Sequence, residues 1–361
     1  MSLQQDQLDR STDDSTQSTS DNAARKTSAD IPKRRLGWIR FIVIGTLVIT
    51  VILGVAGAVL VQVQKSVQNK AAAEAGDLSG PKIVVPNKDK QSTDASINTD
   101  KAPNETKNAS SNKVDDVAAA AHPIEPALKK AREVLEFSTA NIQDYMATII
   151  KRERKPDGKT GQEEIMFVKI RNRKVDEDGN VEVPFAVYIK YLTPKSIAGR
   201  EVIWEENANN GKLIAHEPGI FNLFRFPLNP EGPIAMRGQR YPIWEIGMEN
   251  LAVQLIKRGE KELEHPECDV QFIEGATIGD RTCTLIQVLH EDKKPEYDFH
   301  KAVIFIDDEW NVPLRYAAYF WPEVAGAEPP VDEEYTYKDV KLNVGLTDVD
   351  FDPDNPEYNY P

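Results

Sequence analysis

The stretch FAVYIKYL, residues 185–192, decides the fold class of this chain because it alternates as a β-strand does. Successive side chains of a strand point to opposite faces. One face receives Phe185, Val187, Ile189 and Tyr191, and the other receives Ala186, Tyr188, Lys190 and Leu192. Strict alternation of apolar and polar residues would leave one face in water. Here both faces are partly apolar, so we expect both to be covered.

The stretch VPLRYAAYFW, residues 312–321, has the same property. Its faces consist of Leu314, Tyr316, Ala318 and Phe320 on one side and Arg315, Ala317, Tyr319 and Trp321 on the other. Two arrangements would cover both faces. In one, helices pack on one face and the other face lines a cavity or groove. In the second, a curved sheet wraps on itself and all these residues lie in the core.

Short turns connect the predicted strands, which indicates a mostly antiparallel sheet. EDGN at 177–180 and NANNG at 207–211 are strong hairpin signals, and DDEWN at 307–311 predicts another turn. Apolar residues at helical spacing predict one helix over 123–142 and a second over 242–261, with Pro242 at its start. The sequence therefore predicts an α+β fold with two main helices.

The run from Phe41 to Val61 contains no charged residue and predicts a single transmembrane helix over 38–62. Six basic residues precede it between 25 and 40, whereas two follow it within ten residues. The positive-inside rule then places the N-terminus in the cytoplasm and the rest outside. We expect a single-pass protein of the bacterial cytoplasmic membrane, with its C-terminal domain in the periplasm or outside.

Composition divides the rest of the chain into three parts. Residues 1–36 are polar and predict a disordered cytoplasmic tail, and residues 63–121 predict a disordered tether. Aromatic and alternating apolar residues begin near His122, so residues 122–361 form the exported domain. The formal net charge of −14 argues against nucleic acid as a partner, because phosphate binding needs a basic face.

The two cysteines, Cys268 and Cys283, flank a predicted hairpin in the exported domain. If the chain folds about residues 275 and 276, the two cysteines lie opposite each other at a separation close to disulfide geometry. We therefore regard them as candidates for a disulfide bond. The alternative is a pair of buried free thiols.

Motifs that carry chemistry are absent from the sequence. It contains no nucleophile elbow, no phosphate-binding loop and no zinc helix, and its five histidines show no ligand spacing. Alternating acids in the run 348–354 lack the glycine and the helix of a calcium loop. We expect no catalytic residues, no metal and no cofactor, and hence a protein that is not an enzyme.

Three long segments resemble a bacterial family known as domain of unknown function 1571. They are PFAVYIKYLTPKSIAGREVIW at 184–204, NNGKLIAHEPG at 209–219 and DEEYTYKDVKLNVGLTDVDFD at 332–352. The helix followed by DYMATIIKRER, VKIRNRKV and PFAVYIKYL is more distantly similar to the lipoprotein-localisation carrier (LolA/LolB-like) superfamily. That resemblance implies a strongly curved antiparallel sheet, an incomplete barrel with helices on its concave side, where acyl chains bind.

We therefore expect a membrane-anchored binding protein for a hydrophobic ligand such as a lipid or a lipoprotein acyl chain. The alternative is an envelope protein-interaction or sensing module without a lipid ligand. Phe221, Phe224 and Phe226 lie in an irregular segment, 219–238, where they would form a lid. Arginines that would meet an anionic head group are Arg200, Arg225 and Arg240. Aromatic candidates for the binding site are Tyr188, Tyr191, Trp204, Phe221, Phe224, Tyr316 and Phe320.

Overall fold

The computed structural model describes residues 78–86 and 121–361, except for positions 156, 266, 267 and 325. The predicted tail, the predicted span over 38–62 and most of the predicted tether lie outside these residues. Within these ranges, neither α-helix combines the length and the apolar character that a bilayer span requires. Part of the predicted tether, residues 78–86, lies against the domain and contributes a short strand.

The described residues contain two α-helices and fourteen strands. Helix α1 has Pro126 in its first turn, where proline costs no hydrogen bond. The elements up to the second helix are β1 (Ile83–Val84), α1 (Glu125–Asn141), β2 (Asp144–Glu153), β3 (Glu164–Arg171), β4 (Lys174–Val175), β5 (Val181–Val183), β6 (Ala186–Thr193), β7 (Glu201–Glu205), β8 (Leu213–His216) and β9 (Arg225–Leu228). The remaining elements are α2 (Met248–Glu262), β10 (Asp269–Ile278), β11 (Arg281–Leu289), β12 (Lys301–Asp307), β13 (Pro313–Tyr319) and β14 (Val331–Leu342).

Twelve strands form one curved, open antiparallel sheet in the order β1-β10-β11-β12-β13-β14-β2-β3-β6-β7-β8-β9. β4 and β5 form a separate two-stranded ribbon. The last strand, β14, pairs with the first long strand, β2, and Thr336 lies opposite Ile150. This pairing joins the strands β10 to β14 to the strands β2, β3 and β6 to β9 in one sheet. The predicted α+β class and the mostly antiparallel sheet are confirmed.

The second helix begins six residues later than predicted. Ile243–Glu245 forms a single 3₁₀ turn, and Gly247 then adopts a φ of 114° before α2 starts at Met248. A side chain at Gly247 would be strained at this φ, and its Cβ would lie 3.0 Å from the Tyr145 hydroxyl. The same hydroxyl accepts a hydrogen bond from the Met248 N–H at 2.9 Å. Gly247 thus allows the chain to turn into α2 directly above Tyr145.

The predicted disulfide is wrong. The turn between β10 and β11 lies at Gly279 and Asp280, so Cys283 is paired with Ala276 rather than with Cys268. Both cysteines are free thiols. Burial raises the pKa of Cys268 to about 11 and that of Cys283 to about 12, so both are protonated near neutral pH.

The predicted separation of helices and cavity onto opposite faces of the sheet is also wrong. Val187, Ile189 and Tyr191 share the inner face of the sheet, which packs against α2 there, and the cavity described below lies on that same face. Helix α1 packs together with α2 against β11, β12 and β13. The opposite face of β6 and β7 is covered by the C-terminal segment, residues 346–361. There the Tyr188 ring stacks on the Tyr358 ring with centroids 4.0 Å apart.

Charged groups on the side of β14 away from the helices form their own buried pairs. Glu334 accepts hydrogen bonds from Arg315 Nη1 at 2.8 Å and from Arg152 Nη2 at 3.1 Å. Burial by itself would raise the pKa of Glu334, but Arg315 and Arg152 outweigh it and hold this pKa below its usual value. The carboxylate therefore stabilises the fold only while it is ionised.

We expect Glu334 to make the stability of the domain fall in mild acid. A carboxyl whose folded pKa lies below its unfolded value of about 4.3 stabilises above that pH, and the contribution is lost as the pH falls through the folded pKa. Urea unfolding of Glu334→Gln should give a shallower loss of stability than wild type between about pH 5 and about pH 3. Glu328→Gln, at an exposed position, is the matched control. Equal slopes for wild type and Glu334→Gln would contradict this role.

Candidate functional site

A cavity of about 340 Å³ lies between α2, the inner face of the sheet and an irregular segment that precedes α2. We call this segment, residues 230–247, the cover segment. The sheet and helix side chains that make the cavity apolar are Ile149, Met166, Ile189, Val202, Leu213, Ala215, Leu228, Leu251 and Leu255. The sheet residues share one face because side chains alternate between the two faces of a strand. Leu251 and Leu255 share one side of α2 because they lie four residues apart.

Polar side chains line the same cavity on β2 and the cover segment. The Lys151 ammonium is buried, lies 3.1 Å from Glu164 and donates to Gln239 Oε1 at 2.6 Å. Burial by itself would lower the pKa of Lys151, but Glu153, Tyr191 and Glu164 outweigh it and raise this pKa. The lysine is therefore charged and has a carboxylate partner inside the protein.

A second charged group is built around Glu333 on β14, whose side chain is fully buried. Its carboxylate lies 2.6 Å from Arg258 Nη2 and accepts a hydrogen bond from the Tyr241 hydroxyl at 2.8 Å. Burial would lower the pKa of Arg258, but Tyr316, Glu333 and Tyr241 raise it above its usual value. Glu333 and Arg258 thus form an ion pair in the cavity wall, and the wall presents donors and acceptors together.

The cover segment is attached to the sheet by polar contacts. The Arg240 N–H donates to Glu153 Oε2 at 3.2 Å, and the Arg240 guanidinium lies 2.9 Å from Asp332. Trp244 packs against Trp204 with ring centroids 5.7 Å apart. Together with the contacts of Gln239 and Tyr241 given above, these interactions hold the segment over the cavity.

Three of the site residues predicted from the sequence line this cavity: Tyr191, Tyr316 and Arg200. The Arg200 guanidinium lies over the Tyr191 ring at 5.7 Å and pairs with Glu217 at 2.6 Å. Arg200 is therefore already neutralised by a carboxylate at the cavity. It does not present an unpaired positive charge to a head group.

The other predicted aromatic residues lie elsewhere. Tyr188 packs beneath the C-terminal segment, and Trp204 packs between Phe185 and Trp244 rather than in the cavity lining. Phe320 packs against the Arg154 guanidinium at 4.8 Å.

The three phenylalanines predicted to form a lid are not among the residues that line the cavity. Phe221 and Phe224 are 52% and 55% exposed, and Phe226 packs against the core. The end of the predicted irregular segment, residues 230–238, does border the cavity as part of the cover segment.

Two of the predicted head-group arginines are bound outside the cavity lining. Arg225 pairs with Asp354 at 2.5 Å and donates to the Pro361 carbonyl at 2.7 Å, which fixes the end of the chain. Arg240 holds the cover segment, as described above. Both have structural partners in this domain, and their predicted role at a ligand is not supported by their position.

Sequence reasoning missed the polar groups of the cavity: Lys151, Tyr241, Arg258 and Glu333. A signal for one of them is present in EEYTYKDV, residues 333–340, where Glu333 alternates with Tyr335 and Tyr337 on the same face of a strand. An acidic residue in register with two aromatic residues on an inner face marks a buried charge that needs a partner. The partner, Arg258, lies on a helix, and no local pattern identifies it.

A comparison with protein families matches residues 142–360, which is more than half of the chain, to DUF1571, a protein of unknown function. The chain belongs to this family, as its sequence segments predicted. No curated protein matches the sequence.

Solved structures that match this chain include a DUF1329 family protein from Desulfovibrio piger, with 12% identity over 64% of this chain and 98% of that chain, at a TM-score of 0.30. MucB matches with 10% identity over 63% of each chain, at a TM-score of 0.37. A putative outer membrane lipoprotein-sorting protein domain from Vibrio parahaemolyticus matches with 13% identity over 63% of this chain and 97% of that chain, at a TM-score of 0.29.

Proposed function

We propose that this domain binds an amphipathic ligand with an apolar chain, such as a lipid or the acyl chain of a lipoprotein, without changing it chemically. The observation that carries this proposal is the cavity of about 340 Å³ on the inner face of the sheet. Ligand cavities of roughly 300–1,000 Å³ are mostly apolar with a few fixed polar groups. Here apolar side chains of six strands and α2 supply most of the lining surface, and ten charged or amide side chains and five tyrosines also reach it.

The polar groups of the cavity suit a head group that both donates and accepts hydrogen bonds. Lys151, Arg200 and Arg258 each have a carboxylate partner within 3.1 Å. A bare anion at these three donors would have to compete with those carboxylates, at a cost in buried charge. Arg237, an exposed cation, also lines the cavity and lies outside these three pairs. A zwitterionic or neutral polar head group can form hydrogen bonds with these ion pairs without separating them. This differs from the anionic head group that the arginines of the sequence suggested.

The proposal includes a location at the outer side of a bacterial cytoplasmic membrane. Its support is the uncharged run 41–61 and the excess of basic residues before it, both features of the sequence. An anchored domain would receive or present its ligand near that membrane.

A second candidate function, an envelope protein-interaction module, has one specific observation in its favour. Phe221, Leu223 and Phe224 are 52%, 75% and 55% exposed between β8 and β9. Exposed apolar side chains that are close together mark contact sites more often than isolated ones do. Such a module would not need the cavity, and this separates the two candidates experimentally.

Photolabelling tests the proposed function with the full chain in its own membranes. Cells are given a fatty acid that carries a photoreactive diazirine, and adducts are mapped by peptide mass spectrometry. We expect adducts on cavity peptides that contain Met166, Ile189 or Leu251. Ala215→Phe fills the cavity from β8 and should reduce these adducts about tenfold or more, which corresponds to about 1.4 kcal/mol of binding free energy.

The matched control is Ala327→Phe, the same change at an exposed position. It should label as wild type does, and both variants should unfold at the wild-type temperature. The proposal fails if cavity peptides carry no adducts, or if Ala215→Phe labels as well as Ala327→Phe. Pull-down of a partner that depends on Phe221 and Phe224 and not on the cavity would favour the interaction module.

A further inference from the structure

A second, smaller cavity of about 60 Å³ lies under the two helices, against β11, β12 and β13. Its wall is apolar apart from Arg258, Glu262 and the Tyr316 hydroxyl. His290 Nε2 lies 3.0 Å from the Glu262 carboxylate. The apolar wall residues are Ile124, Ala127, Leu128, Ala131, Val134, Leu255, Ile286, Val288, Phe299, Ala302, Ile304 and Ile306.

The two cavities share three lining residues: Leu255, Arg258 and Tyr316. Leu255 and Arg258 lie on α2, one turn apart, and Tyr316 faces them from β13. The wall between the cavities is therefore made of side chains rather than of backbone. A change of side chain at one of these positions can open or close it.

Arg258 is the member of this wall that is held most firmly. Its guanidinium pairs with Glu333 at 2.6 Å, donates to the Tyr241 hydroxyl at 2.9 Å and also donates to the Tyr316 hydroxyl. It also lies over the Tyr316 ring at 5.2 Å. These contacts reach the cover segment and two strands, so the guanidinium stays at the junction of the cavities and does not move freely.

We propose that Arg258, held against Tyr316, determines the length of the apolar chain that the main cavity accepts. This inference rests on the proposed function, because it assigns a specificity residue to the same cavity. A chain that extends along α2 meets a charged, fully partnered guanidinium before it reaches the second cavity. Displacing that group would take the nearer guanidinium away from the buried Glu333 carboxylate and leave it with Arg240 at 3.7 Å, which is unfavourable. The second cavity, about 60 Å³ beside about 340 Å³, would then accept only the last carbons of a longer chain.

The test uses the full chain in its own membranes and saturated fatty acids of increasing length, each with a diazirine at the end farthest from the carboxyl. In wild type, terminal adducts should map to Leu255 and Tyr316 and no farther. Adducts on Ile286 or Ala302 in wild type would overturn the proposal without the need for any variant. An absence of all adducts from the main cavity would reject the proposed function, and the chain-length role with it.

The double variant combines Arg258→Ala with Glu333→Gln. It removes the guanidinium without leaving a buried unpaired carboxylate. We expect its preferred chain to be longer than that of wild type, with terminal adducts on Ile286 and Ala302. Adding Ala302→Leu fills the second cavity and should restore the wild-type length. Arg258→Lys keeps a cation and a long stem, and Glu333→Gln alone keeps the guanidinium, so both should retain the wild-type length. An unchanged length preference in the double variant would overturn the assignment of Arg258.

Discussion

Deletion of residues 347–361 is expected to unfold the domain. Three aromatic side chains of this segment, Phe351, Tyr358 and Tyr360, pack on the face of β6 and β7 that lies away from the helices. Phe351 is buried, and Tyr358 and Tyr360 are partly buried. Complete burial of a large apolar side chain contributes roughly 1.5–3 kcal/mol, and each tyrosine contributes less than that. Their combined loss approaches the lower end of the roughly 5–15 kcal/mol that stabilises a whole domain. The deletion would also expose Tyr188, which is otherwise buried.

The same deletion removes the hydrogen-bond donors of a buried carboxylate. Glu201 is fully buried and accepts hydrogen bonds from the Asn359 N–H at 2.9 Å and from Asn359 Nδ2 at 2.8 Å. A buried acceptor that loses its donors costs about 1–3 kcal/mol, and more when it is charged. Circular dichroism and urea unfolding would show loss of the cooperative transition. Val349→Ala, in the same segment but 59% exposed, should unfold as wild type does. A truncated chain that retains the wild-type transition would disprove this account.

Replacement of Asp307 by alanine is expected to be the most damaging single substitution outside the cavity. Asp307 is fully buried at the end of β12 and receives two hydrogen bonds from Arg281, at 2.6 and 2.7 Å. It also accepts the Trp310 N–H at 2.8 Å, which closes the turn into β13. Each hydrogen bond to a charged group is worth roughly 1.5–3 kcal/mol, so the loss of these three costs about 3 kcal/mol or more, although Arg281 keeps Glu309 as a partner at 3.0 Å.

The adjacent residue supplies the control for Asp307. Asp308 is exposed and accepts one hydrogen bond, from the Thr284 hydroxyl at 2.8 Å. Asp308→Ala should therefore cost about 1 kcal/mol or less in urea unfolding. Asp307→Asn keeps acceptor atoms without the charge and should lie between the two. Comparable losses for Asp307→Ala and Asp308→Ala would show that burial and the Arg281 pair do not matter at this turn.

Much of the fold can be predicted from local patterns, and the exceptions share a cause. The alternation in FAVYIKYL and the helical spacing of Leu251 and Leu255 are short-range properties, and both predictions are confirmed. Which element covers each face of a strand depends on contacts between distant parts of the chain. Residue 358 covers Tyr188 across 170 positions of sequence, and nothing in either segment alone reveals it. The predicted register of the β10–β11 hairpin was wrong for a related reason. Gly275 and Gly279 both adopt a positive φ, and the pairing of the two strands decides which of them lies in the turn.

The candidate site was predictable only in part. Tyr191 and Tyr316 were found because aromatic residues on inner faces are candidates for any cavity. Of the three predicted arginines, Arg200 lines the cavity and Arg225 and Arg240 do not. The sequence shows that an arginine is charged, but it does not show which acidic residue will pair with it. Glu333 and Arg258 are 75 positions apart and act as a unit. A pair of this kind becomes visible only when the helix is placed on the sheet.

The short strand β1 changes where the independent part of this protein begins. Ile83 pairs with Ile278 and Val84 with Thr277, the Gly279 N–H donates to the Lys82 carbonyl at 2.8 Å, and Lys338 donates to the Ser79 carbonyl at 3.0 Å. A recombinant fragment that starts at residue 122, where the composition changes, would lose these contacts and expose the edge of β10. Exposed strand edges promote association between molecules. Fragments intended for crystallisation or lipid extraction should therefore start at or before Leu78, so that the sheet keeps its own edge covered.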